Sequence, residues 1–357
     1  LPDSGYLQER DAEFANRHGY SKHKPALPLY GEADARRALE FFRTLAFGSP
    51  HPLHPGMTMT LQRTGHILGA ASIALVMNGV RLVFSGDLGR YQDPIFHDPE
   101  SWRATDYLVV ESTYGDRLHD PADPEQVLEE IVSRTARRGG TVLIPEFAVG
   151  RAQSILFCLH RLKSAGRLAH IPVYLDSPMA IDASETFCRN FSDHKLSEAE
   201  ARAACGVATY VHSVDESKAL NASTMPKVII AASGMATGGR VLHHLKQYVS
   251  DERNTILFSG FQAPGTRGAL MLAGAEAVRI HGGEFPIRAS VDNLSMLSAH
   301  ADANEILRWC RGFDHAPKMT FVTHGEPRPA EALSHRLQTE LGWHCTVPMH
   351  LQSFELS

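Results

Sequence analysis

A chain of 357 residues is long enough for two domains of roughly 150 residues each. Its 43% apolar and 21% charged residues make an ordinary globular composition, and no apolar run approaches the ~18 residues of a membrane span, so no membrane is expected. A net charge of −5 excludes a global basic field for recruiting nucleic acid, which must instead be held by a local site.

The five cysteines, Cys158, Cys188, Cys205, Cys310 and Cys345, include no CxxC pair. An odd, dispersed set reads as reduced thiols in a cytoplasmic setting. The sequence opens at Leu1 without a charged n-region and apolar h-region, so its first residues are not expected to be a secretory signal. A natural segment ahead of Leu1 is expected.

In chain order, Gln8 to His18 reads as a polar helix and Tyr20 to Leu29 as a loop. Glu32 to Phe47 reads as a helix burying Leu39, Phe42 and Ala46. Strands follow at Met57 to Gln62, Ser72 to Met77 and Val80 to Phe84, the last two joined by the turn Asn78-Gly79. Tyr107 to Val110 is a short apolar strand. Asp123-Pro124-Glu125 then starts a helix that ends at Arg137-Arg138-Gly139-Gly140. Strands at Thr141 to Ile144, Val173 to Leu175, Val228 to Ala232 and Thr255 to Phe258 alternate with helices at Val149 to Lys163, Met179 to Asn190 and Gly239 to Val249. That alternation predicts a doubly wound parallel sheet over about 116 to 290. A helix capped by Asp302, a strand Met319 to Val322, a helix Pro329 to Leu341 and a strand Cys345 to Val347 close the chain. This last piece is too short to fold alone and is expected to rejoin the first domain.

Five polar positions stand out: His66, Asp87, Glu111 and His324 where strands give way to loops, and His300 just before a helix N-terminus. The hairpin brings the loops of His66 and Asp87 to one end of a sheet, and imidazole with carboxylate is the usual donor mixture for zinc. Two glycine-rich segments sit between a strand and a helix: Phe147 to Arg151 and Ala232 to Arg240. Backbone N–H groups there suit a phosphate, with Ser233, Gly234, Thr237, Gly238, Gly239, Arg240, Gly150 and Arg151 as candidate contacts.

The segments Thr64-Gly65-His66-Ile67-Leu68-Gly69-Ala70, Ser85-Gly86-Asp87, Glu111-Ser112-Thr113-Tyr114-Gly115, Ser298-Ala299-His300-Ala301-Asp302 and Thr323-His324-Gly325-Glu326 occur in that order. Together they resemble the motifs of metallo-β-lactamase-fold nucleases with an inserted β-CASP domain. That family includes the endonuclease subunit of eukaryotic pre-mRNA 3′-end processing, archaeal relatives and bacterial exonuclease-like members. The resemblance implies an α/β fold: an αββα sandwich, truncated at its N-terminus, with an inserted β-CASP domain holding a mainly parallel sheet. The expected units are 1–115, 116–290 and 291–357, the last returning to the sandwich.

The resemblance also implies roles. His66 is expected to bind one zinc, Asp87 to bridge two, and His324 to bind the second. Glu111 and His300 are expected to deliver a proton to the leaving group. The implied reaction is hydrolysis of RNA phosphodiester bonds by a metal-bridging hydroxide, with single-stranded RNA as partner and a homodimer as a further expectation. A non-catalytic RNA-binding subunit and another metallo-β-lactamase-fold hydrolase are the alternatives. The family's His-x-His-x-Asp-His motif, which supplies four further ligands, occurs nowhere in the 357 residues. The chain as given is therefore expected to be inactive, poor in metal and open along a sheet edge.

Overall fold

The computed structural model describes residues 1–19 and 21–357. Tyr20, the first residue of the expected loop, lies outside the described residues. Helices α1 (Pro2–His18) and α2 (Glu32–Leu39) precede strands β1 (His51–His54), β2 (Met57–Arg63), β3 (Ala71–Met77), β4 (Val80–Phe84) and β5 (Tyr107–Glu111). The middle of the chain runs α3 (Pro124–Arg137), β6 (Thr141–Pro145), α4 (Arg151–Ser164), β7 (Val173–Leu175), α5 (Pro178–Arg189), α6 (Glu198–Cys205), β8 (Thr209–Tyr210), α7 (Val214–Ala222), β9 (Lys227–Ala231), α8 (Arg240–Tyr248) and β10 (Thr255–Ser259). After α9 (Arg267–Leu272) come β11 (Ala277–Ile280), β12 (Gly283–Pro286), β13 (Ser290–Leu294), α10 (Ala303–Cys310), β14 (Met319–Thr323), α11 (Pro327–Leu341) and β15 (Cys345–Thr346).

A seven-stranded sheet takes the order β1-β2-β3-β4-β5-β14-β15. Its first four strands are antiparallel, and β4, β5, β14 and β15 pair in parallel. The period-2 alternation of strands decides its faces. Ala74, Val83, Leu108, Val110 and Val322 point one way and are closed over by Ile306, Trp309, Leu333 and Leu337 of α10 and α11. Ile73, Leu75, Leu82, Phe84 and Val109 point the other way and are only half-buried. The C-terminal residues cross part of that second face: the Phe354 ring lies 4.7 Å from Phe321, and Ser357 exchanges hydrogen bonds with the Tyr107 hydroxyl.

The second sheet has six strands in the order β13-β10-β6-β9-β7-β8, every pairing parallel. Helices α3, α4 and α5 cover one face and α8 the other, so β6, β9 and β10 are buried on both sides. Near-continuous apolar runs such as Val228-Ile229-Ile230-Ala231 follow from that double burial.

Two expectations fail locally. The helix expected over Glu32 to Phe47 ends at Leu39, and Leu39 and Phe42 are 42% and 62% exposed. Ala35, not that apolar set, is the buried residue of α2. Beyond Leu39 the chain turns toward β1, a strand the apolar pattern does not announce because three of its four residues face solvent. The first helix begins earlier than expected, at Pro2, where proline costs no hydrogen bond.

Candidate metal and acid-base site

The site lies at the rim where β4, β5 and β14 end together. Parallel pairing sets Thr323 against Glu111 and Phe84 against Val109, so the loops carrying Asp87, Glu111 and His324 leave the sheet at one level. This C-terminal edge is where α/β sheets commonly bind ligands.

Asp87 sits between two imidazoles. Its Oδ2 is 3.7 Å from His66 Nε2, and its Oδ1 is 3.2 Å from His324 Nδ1. The backbone at His324 is left-handed, with φ of 50°, a conformation that non-glycine residues adopt rarely and that clusters at functional sites. The Thr113 hydroxyl holds that turn by donating to the His324 carbonyl at 3.1 Å. Ser112 Oγ donates to the Thr323 carbonyl at 2.7 Å just before it.

Beside this trio is a buried ion pair. Both Glu111 oxygens lie 3.2 Å from His300 Nδ1. Glu111 also accepts from the Leu88 N–H at 2.6 Å and the Thr113 N–H at 3.3 Å. Burial opposes the Glu111 charge, but these bonds and the His300 charge outweigh it and hold the carboxyl below its ordinary range. Burial likewise opposes the His300 charge, and Glu111 overrides it, so His300 is raised. His66 goes the other way: burial first, then the His300 charge, pulls it down to about 3. It is therefore neutral at physiological pH, the form in which imidazole binds metal. The His66 and His300 rings are 4.4 Å apart, and ligand atoms of His66, Asp87 and His300 all lie within 4.8 Å of one another.

Glycines allow the loops to meet. A Cβ on Gly89 would stand 2.3 Å from the Gly65 carbonyl carbon and 2.6 Å from the His66 nitrogen. Gly89 also donates to the Thr64 carbonyl and bridges to His300. It thus joins the His66, Asp87 and His300 loops at one point. Gly150, with φ of 84°, lets the inserted domain touch the same region, since a Cβ there would lie 2.5 Å from an Ile67 methyl.

The two glycine-rich segments behave differently from each other. Arg151 is 4% exposed; one nitrogen donates to the Leu297 carbonyl at 2.6 Å, while Nε and the second terminal nitrogen have no hydrogen-bond partner among the described residues. Its charge reaches both His66 and His300. In the second segment Ser233 Oγ accepts from the Thr237 N–H at 3.1 Å, and Gly234 packs flat on the Phe147 ring. Gly238 and Gly239 complete the turn into α8. The expectation that Arg240 reaches out to a phosphate is corrected. Its guanidinium turns inward to Asp176 Oδ1 at 2.6 Å and to the carbonyls of Val211 and His212. Asp176, with 0% exposure, needs that cation, and it also receives His244 and Ser217.

The sequence reading missed His119. Its Nε2 lies 3.0 Å from the His300 carbonyl and 3.3 Å from Glu305, and its ring packs on Tyr114. His119 tethers the His300 backbone from the outside. No strand end marks it, and only its place four residues after Gly115 gives a signal.

The donor set fits a metal in part. Two imidazoles flanking a carboxylate are suitable zinc donors, but a closed zinc site takes four ligands, and a dinuclear one takes more.

Two family models match the chain. The Beta-Casp domain matches residues 152–271, and the Zn-dependent metallo-hydrolase RNA specificity domain matches residues 284–348. Ribonuclease TTHA0252 of Thermus thermophilus is 40% identical over 315 residues, covering 86% of this chain and 71% of that protein. An RNase J-like protein of Methanocaldococcus jannaschii is 33% identical over 307 residues, covering 83% and 70%. Transcription termination factor FttA of Pyrococcus abyssi is 29% identical over 346 residues; the chain spans 53% of its length. The chain belongs to the metallo-β-lactamase-fold nucleases with a β-CASP domain, a metal-dependent hydrolase family. No helix among the described residues is long and apolar enough to cross a membrane.

Two predictions come from this geometry. Gly89→Ala has no room for its methyl and is expected to lower stability by about 1–3 kcal/mol, read as a lower urea midpoint at unchanged slope. The Glu111–His300 pair gives a pH dependence of its own. Glu111 contributes stability above its ordinary 4.5, lost as pH falls through its lowered folded value. His300 contributes stability below its ordinary 6.5, lost as pH rises through its raised folded value. The stability difference between wild type and Glu111→Gln, from urea unfolding across pH, should be greatest between those limits and shrink on both sides. A flat difference would mean that the pair is not charged in the folded state.

Proposed function

We propose that the protein containing this chain is a zinc-dependent ribonuclease that hydrolyses single-stranded RNA at the rim of the seven-stranded sheet. The observation that carries this is one carboxylate, Asp87, flanked by two imidazoles beside a buried Glu111–His300 pair. The names of two relatives, ribonuclease TTHA0252 and an RNase J-like protein, support RNA as the substrate class. The proposed organisation is a metallo-β-lactamase unit from 1–115 and 291–357, with residues 116–290 inserted as the β-CASP domain. A cytoplasmic setting and a homodimer belong to the same proposal.

His66, Asp87 and His324 would hold zinc, with Asp87 shared between two ions. Zinc supplies a nucleophile from water at neutral pH and charge relief on the phosphate. The chain's own residues account for the rest. Glu111 fixes the His300 ring through Nδ1 and favours its protonated form, so His300 is a general acid for the departing oxygen. The unpaired nitrogens of Arg151 place a fixed positive charge behind the site, which favours the dianionic transition state. Backbone N–H groups of Ser233, Gly234, Gly238 and Gly239 are the proposed phosphate contacts, while those of Gly150 and Thr237 are already donated to Gln153 and to Ser233 Oγ and shape their turns instead. Arg240 acts indirectly by holding the second loop's exit into α8.

His300 also lies close enough to His66 and Asp87 to serve as a ligand. Two variants of the full protein separate the roles. Asp87→Ala is expected to lose zinc, measured by atomic absorption, and all detectable cleavage of labelled single-stranded RNA. His300→Ala is expected to slow cleavage by about 10²–10⁴-fold at unchanged zinc content. Zinc loss in His300→Ala would make His300 a ligand, and cleavage by Asp87→Ala would remove Asp87 from the site.

A further inference from the structure

Far from the rim, α5 and α6 end against one another. Cys188 lies in the last turn of α5, and Cys205 is the last residue of α6. Their sulfurs are 2.8 Å apart, and a disulfide bond is about 2.05 Å long. The two thiols differ in access. Cys188 is half-buried on the wall of an open cavity of about 370 Å³ that Cys205, Arg202 and Tyr210 also line. Cys205 is 8% exposed, and its thiol donates to the Ser184 carbonyl.

We propose that Cys188 and Cys205 form a redox-active dithiol that closes to an intramolecular disulfide by exchange with small-molecule disulfides of the glutathione class. In the first step the Cys188 thiolate attacks one sulfur of the small disulfide and expels one thiolate, leaving a mixed disulfide on Cys188. In the second step Cys205 gives up its proton, and its sulfur attacks Cys188 and expels the second thiolate. Two protein thiols are oxidised, and one small disulfide is reduced to two thiols.

The surroundings support this order of attack. The hydrogen bond between the two sulfurs lowers Cys188, burial opposes it, and the Arg202 charge assists. The same bond, reinforced by burial, pushes Cys205 up, so Cys188 is the thiol that ionises first. Both sulfurs sit at helix C-termini, which disfavour a thiolate equally, so the asymmetry rests on access: Cys188 is half-buried and Cys205 is buried. The other cysteines lack this arrangement. Cys158 and Cys310 are buried, and burial pushes their thiols up; Cys345 is pushed up to about 11.

The pair also touches the route to the rim. Ser184, whose carbonyl Cys205 bonds, accepts from Gln153 through its hydroxyl, and Gln153 in turn accepts from the Gly150 N–H. A covalent link between α5 and α6 would therefore act on the support of the Phe147 to Arg151 turn.

The test uses the native, full chain incubated with oxidised glutathione, alkylated with iodoacetamide and mapped by trypsin and mass spectrometry. The expected product is a Cys188–Cys205 linked peptide pair, about 2 Da lighter than the two free peptides together, with neither cysteine alkylated. Cys205→Ser should stop at a stable glutathione adduct on Cys188. A lasting adduct on Cys188 in the wild type would overturn the proposal. So would full alkylation of both cysteines under conditions in which Cys345 reacts. The wild-type map decides the matter even where the serine variant fails to fold.

Discussion

The parallel pairing of β5 with β14 is the constraint on which the rest depends. Its register sets Thr323 opposite Glu111, and β4 on the other side of β5 is locked by Phe84 against Val109. Because side chains alternate along a strand, a slip of one residue would exchange faces and send Glu111 away from His300. The register is held by burial: Leu108, Val110 and Val322 must all reach the Trp309 and Leu333 layer at once. The apolar core under α10 and α11 thus fixes the spacing of polar groups at the sheet's far edge. Two segments more than 200 positions apart in sequence are made to share one rim.

Above that frame, close approach rather than added contacts brings the loops together. Gly89 and Gly150 occupy places where a Cβ would overlap a neighbour, and Gly325 does the same against Ser112. Each removes a methyl's thickness between two loops that carry functional groups. The result is a rim in which His66, pulled down to about 3, stands beside His300, which Glu111 pushes up. Their environments push two imidazoles in opposite directions, a division on which the proposed roles of metal ligand and proton donor rest.

Much of this was legible in the sequence because the polar residues interrupt apolar strands at their ends. His66, Asp87, Glu111 and His324 each follow a run that reads as a strand. The parallel β-CASP sheet was equally visible, since strands buried on both faces leave unbroken apolar runs. What stayed hidden has physical reasons. Phe42 and Leu39 share helical spacing, but nothing in spacing tells a buried stripe from an exposed one. Arg240 reads as a phosphate ligand until the fold supplies Asp176, a carboxylate with 0% exposure. His119 and the Cys188–Cys205 pair depend on contacts between elements, which no local window contains.

That inward Arg240 has a consequence for the glycine-rich turn from Ser233 to Gly239. The turn leaves β9 and enters α8, and α8 is anchored at its first residue by an ion pair to a fully enclosed carboxylate. Shifting the turn would drag a guanidinium off Asp176 and strand that charge in an apolar interior. The conformational entropy of the segment is thus spent during folding rather than when a polyanion arrives. On the proposed function, an incoming strand would meet a mould that is already set and would itself have to bend to fit.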